Sequence, residues 1–147
     1  MSATLLRALA HAHGHLGWLA AVALAHPAIL LRRPRRRALR AAIAATALVT
    51  LAAACGACLY PAYRATIKPA LFAGAPVVAS LFERKEHLGI ASVVLSWSGL
   101  LLHGFSGGAD AEERHLSRAA FLSFAWAAAL ALAVAVMGTI VAVTRTF

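Results

Sequence analysis

The chain has 147 residues, 62% of them apolar and 13% charged, with a mean hydropathy of +0.79; an ordinary soluble domain is roughly 45–50% apolar and about 25% charged. This composition excludes a soluble enzyme and predicts a single integral membrane domain over residues 1–147, since the length holds about four spans of roughly 20 residues and leaves no room for a large extramembrane catalytic unit. The formal charge of +9 is concentrated in short blocks between apolar runs, so it reads as a topology signal and not as a nucleic-acid surface.

The first apolar run covers about 5–31 and is stopped by Arg32, Arg33, Arg35, Arg36 and Arg37. The basic cluster follows the run, the reverse of a signal peptide's charge order, which predicts a retained span with its N-terminus outside. A second run, 38–60, returns the chain outward, a third, 87–105, ends at Ser106-Gly107-Gly108, and a fourth covers 119–143, its helix starting as early as Asp110 or Ala111. The expectation is an all-α, four-helix transmembrane bundle of up-down topology, N-out/C-out, multi-pass in the bacterial inner (cytoplasmic) membrane. The arginine block, with Arg114 and Arg118, lies on the retained side.

Between the second and third spans lies an outer loop, 61–86, interrupted by Pro61, Pro69 and Pro76 and made basic by Arg64, Lys68, Arg84 and Lys85. Leu71, Phe72, Val77, Val78, Leu81 and Phe82 give it apolar surface to lie in the interface as a short amphipathic segment capping the bundle. Trp18, Tyr60 and Tyr63 suit an outer aromatic belt, and Trp97 and Trp126 lie deeper.

Seven histidines are the most informative feature, because ionisable residues in spans are costly and mark function. His11, His13 and His15 fall in the outer part of helix one and His26 near its inner end; His87 and His103 fall at the two ends of helix three, and His115 precedes helix four. His15 and His26 are three turns apart on one face, separated by roughly 16 Å along the axis, and His11 lies within about 60° of that face whereas His13 does not. His87 and His103 lie about 160° apart around an ideal helix, so both enter one core only if the helix bends. Histidines on two diagonal helices supply the two axial ligands of a low-spin b-type haem.

In this placement the chain resembles the small di-haem b-type cytochromes of bacterial membranes. The resemblance implies one or two haem b groups held by His15, His26, His87 and His103, with His115 the alternative inner ligand and His11 and His13 outer alternates. Arg64, Arg84 and Lys85 then pair with haem propionates. The implied role is a membrane electron-transfer subunit, a cytochrome component of a complex or homo-oligomer and not a stand-alone enzyme, passing electrons between a quinol and a partner protein. Glu86 beside His87 is placed to take a proton from such a quinol.

Three alternatives stand beside it. His11, His13, His15, Glu83, Glu86 and His87 could hold zinc or copper at the outer rim. Cys55-Gly56-Ala57-Cys58 is a C-x-x-C that suits a quinone-linked thiol–disulfide oxidoreductase. The chain could also be a cofactor-free accessory subunit. No P-loop, dinucleotide fingerprint or H-E-x-x-H occurs, which disfavours soluble-cofactor chemistry.

Overall fold

The computed structural model describes residues 2–32, 38–106 and 111–144, with side chains from 114 onward in the last segment. Four long helices carry the fold. The first, α1 (Ala3–Leu30), starts at Ser2, whose Oγ accepts from the Leu5 amide at 3.3 Å and so satisfies one of the donors a helix start leaves unpaired. It runs through Pro27 without interruption.

The second, α2 (Ala38–Ala62), also contains a proline, Pro61, and then continues through a π-helical turn, Tyr63–Ile67, into α3 (Lys68–Gly74). At the wide turn the Lys68 amide donates five residues back to the Tyr63 carbonyl. The prolines explain this path: Pro69 and Pro76 occupy the first turn of α3 and of the next helix, α4 (Pro76–Phe105), where an amide hydrogen is not needed. Only Ala75, with φ −150° and ψ 67°, separates these two helices. The expected outer loop 61–86 is therefore a helical hairpin, and the third span's helix begins at Pro76 and not near residue 87. The fourth long helix is α5 (Ala111–Thr144).

Three helical stretches, Ala38–Gly74, Pro76–Phe105 and Arg114–Thr144, are long and apolar enough to cross a bilayer, which makes this a multi-pass membrane protein. In α1, Arg7 and four histidines dilute an otherwise apolar helix of similar length.

The packed pairs are α1 with α2, α1 with α5, α4 with α2 and α4 with α5, which puts α1 and α4 at opposite corners. Their shared core is mostly alanine around a few larger side chains: Ala20, Ala21, Leu24 and Ala28 of α1, Ala42, Ala45, Val49 and Ala52 of α2, and Ala120, Phe124, Ala127 and Ala131 of α5. Small side chains let helices approach closely where lipid removes any hydrophobic drive between them. From α4 come Ser92, Ser96 and Gly99. A Cβ on Gly99 would lie 2.9 Å from the Phe124 ring, so the glycine is what admits the core's largest side chain.

Polar groups in this core are satisfied: Ser92 Oγ donates to the Ala127 carbonyl at 2.9 Å, Ser96 Oγ to the Val93 carbonyl at 2.8 Å, and Thr46 Oγ1 to the Ser96 carbonyl at 3.3 Å. Trp18 donates to Thr139 at 3.2 Å and ties α1 to α5. A second, smaller core lies at the hairpin, where Tyr63, Ile67, Leu71, Ala79 and Phe82 pack with Val141 of α5. The perimeter is apolar, with Val22, Ile90, Phe105, Trp126 and Val143 all largely exposed.

Candidate functional site

The structure separates the histidines that the sequence groups together. His11, His15 and His26 are exposed on α1, His87 is exposed on α4, His103 is half-buried and His115 is exposed. α4 is one unbroken helix, so His87 and His103 keep the opposed directions their spacing dictates. His87 Nδ1 donates to the Glu83 carbonyl of its own helix at 2.9 Å, and His103 Nδ1 has Ser106 Oγ 3.4 Å away. The space between α1 and α4 is filled by Leu24, Phe124, Thr46, Ser92 and Ser96, none more than 1% exposed. His15, His26, His87 and His103 do not converge there, and a bis-histidine haem across the core does not fit these residues.

Among the described residues no group of three or more His, Cys, Asp or Glu side chains is gathered closely enough for a metal ion. The rim cluster of His11, His13, His15, Glu83, Glu86 and His87 is thus not assembled within one chain. Of the expected propionate partners, Arg64 and Arg84 are exposed and only Lys85 turns inward.

On α1 the histidine set apart from the face of His11, His15 and His26, His13, is the one that packs inside. It is half-buried, and its Nδ1 donates to the Ala52 carbonyl of α2 at 2.9 Å. Since a carbonyl only accepts, Nδ1 carries the hydrogen, and in the neutral ring Nε2 holds the lone pair. Gly56 makes room for the ring: a Cβ there would lie 2.9 Å from His13 Cε1.

Around His13 all the elements at this end contribute. Lys85 of α4 is half-buried and within electrostatic range of His13. Its ammonium lies 4.8 Å from the Phe82 ring centroid, a cation–π distance. Gly138 of α5 leaves space beside it, since a Cβ there would meet Lys85 Nζ at 3.7 Å. Glu86 is within electrostatic range of Lys85 and of Tyr63. Tyr63, on the π turn, stacks on Phe82 with ring centroids 3.8 Å apart and planes 11° from parallel.

The Tyr63 side chain is buried and its hydroxyl has no hydrogen-bond partner among the described residues. An unpaired buried hydroxyl costs roughly 1–3 kcal/mol, and a π turn inside a helix is a frequent mark of a functional position. Just outside, Lys68 and Glu83 form an ion pair at 2.8 Å that ties α3 to α4. Donors (Tyr63, Lys85) and acceptors (His13 Nε2, Glu86) are therefore collected where four helices and the hairpin meet, with the Phe82 ring packed against Tyr63 and Lys85.

Cys55 and Cys58 are free thiols on α2, the first half-buried and the second exposed. They flank Gly56, the residue against His13.

The sequence alone places His13 among the alternate outer ligands and Tyr63 in an aromatic belt. Two signals pointed elsewhere: Lys85-Glu86 adjoin the apolar third span, and a glycine sits on the facing helix. Comparison with protein families, with curated proteins and with solved structures finds no match for this chain.

Proposed function

We propose that this protein is a membrane electron-transfer subunit that binds a quinol at the site formed by His13, Tyr63, Lys85 and Glu86. The unpartnered buried hydroxyl of Tyr63, beside a carboxylate and a half-buried lysine, is the observation that carries this reading. A quinone has two carbonyl acceptors, a flat ring and an apolar tail. Tyr63 and Lys85 supply donors for the carbonyls, and the surrounding apolar helices suit the ring and its tail. On oxidation a quinol releases two protons and two electrons. His13 Nε2 and Glu86 are the acceptors for the protons, and the electrons pass to a redox centre of a partner subunit.

In this reading the chain crosses a bacterial inner membrane four times in up-down order, N-out/C-out, with the site on the outer side; the arginine block between α1 and α2 supports that orientation. A haem inside the bundle has no part in this reading, since His15, His26 and His87 face away from the core.

The position of Gly56 favours one second reading, a quinone-linked thiol–disulfide oxidoreductase. There Cys55 and Cys58 lose two electrons and two protons to form a disulfide while the quinone beside His13 gains them as quinol.

Photolabelling of the purified chain in micelles with a short-chain azidoquinone tests both. The proposal expects saturable labelling confined to peptides from α2 near Gly56, from the Tyr63–Ile67 turn and from α4 near Lys85. Labelling that does not saturate, or is spread over the perimeter, contradicts it. Cys55→Ser with Cys58→Ser leaves labelling intact under either reading and abolishes quinone-dependent thiol oxidation only if the second holds.

A further inference from the structure

α1 carries a second histidine population that the quinol site does not use. The buried positions Ala20, Ala21, Leu24, Pro27 and Ala28 define its inner face, and His13 lies on that side. His11, His15 and His26 are exposed, as are Val22 and Ile29, and on a helix of 3.6 residues per turn these five positions fall within about 60° of one another. Neither ring nitrogen of His11 or His15 has a hydrogen-bond partner among the described residues.

With α1 as the fourth span, this face sets three imidazoles toward hydrocarbon. Ionisable side chains in spans instead turn to a protein interior or pair with one another. Whatever covers the face must satisfy imidazole nitrogens and also bury Val22 and Ile29. The same face on a second copy does both. A neutral imidazole has one donor and one acceptor nitrogen and is complementary to itself, and a two-fold interface joins identical patches.

We infer that two copies of this chain pack α1 against α1 through this face, and that His11 and His15 of both copies form a four-imidazole site for a zinc-class divalent cation. Within one copy the two ligands are four residues apart, about 5–6 Å between Cβ atoms. That is half a site, in keeping with the lack of a three-ligand group among the described residues of one chain. Zinc takes four ligands tetrahedrally, with nitrogen at roughly 2.0–2.1 Å, and accepts imidazole readily. Arg7, one turn before His11 and exposed, has the length to carry its charge away toward water. Nearer the other end of α1, the two copies of His26 meet and share a hydrogen bond.

The test uses the full chain, stripped with EDTA in detergent micelles and titrated with zinc while protein mass and bound metal are measured. One zinc per two chains and conversion to a dimer are expected. His11→Ala or His15→Ala should weaken zinc binding by more than the roughly tenfold to hundredfold that loss of an outer-shell partner brings. His115→Ala, exposed elsewhere, should bind as the parent does. A monomer at saturating zinc, one zinc per chain, no zinc uptake, or undiminished binding by the double variant His11→Ala/His15→Ala overturns the proposal. Quinone labelling of the metal-free monomer reports separately on the site around Tyr63.

Discussion

His13 and His15 are two residues apart on α1 and do opposite things. A step of two residues turns a helix by about 200°, which takes one imidazole into the packed interior against Ala52 and Gly56 and leaves the other exposed. The inner face of α1 is specified by contacts the chain makes with itself, whereas the outer face, with His11, His15 and His26, is covered by nothing among the described residues. In a membrane helix histidine content therefore does not locate a site. Position relative to the packed face does.

The sharpest way to probe this difference is to make the same substitution on both faces. Gly56→Val drives a branched side chain into His13 and should cost about 1–3 kcal/mol of stability, the usual penalty of overpacking. Gly14→Val meets open space and should stay within about 0.5 kcal/mol in the metal-free monomer, as read by thermal unfolding in detergent. Equal losses would mean that the two faces are not distinct.

Next in size is Glu86→Gln, which keeps shape and removes the charge. Hydrogen bonds to charged groups contribute about 1.5–3 kcal/mol, so short-chain quinol affinity should fall roughly tenfold to a hundredfold with unfolding little changed. Unchanged affinity would remove Glu86 from the site. On the outer face, His26→Leu should leave the monomer's stability unaltered and weaken zinc-free self-association by about three- to tenfold, the worth of one neutral hydrogen bond. Tighter self-association would show that His26 does not pair across copies.

The helical class, the number of long helices and the apolar perimeter were legible in composition and run lengths. The hairpin was not, because prolines that break a helix interior are accommodated in its first turn, and Pro69 and Pro76 occupy that position. The direction of each helix face was equally hidden. A helix that is apolar all round has no amphipathic stripe to say which side is inside, and in α1 the inner side is marked only by Ala20, Ala21, Leu24 and Ala28 among many similar residues. The face that holds most histidines is the exposed side of α1, and a helical wheel centred on Leu24 places His13 inward. The Tyr63 environment depends on the π turn, for which the sequence offers only Pro69 as a hint.

The most direct test of the site compares quinone affinity in Tyr63→Phe with that of the parent chain, with thermal stability measured alongside. Removing a buried hydroxyl that has no partner should raise stability by about 1 kcal/mol. Binding should weaken by about tenfold, the value of one lost hydrogen bond to the ligand. A more stable protein that binds quinone more weakly is the predicted result. A more stable protein with unchanged affinity would show that Tyr63 serves packing alone and would contradict the assignment of this site.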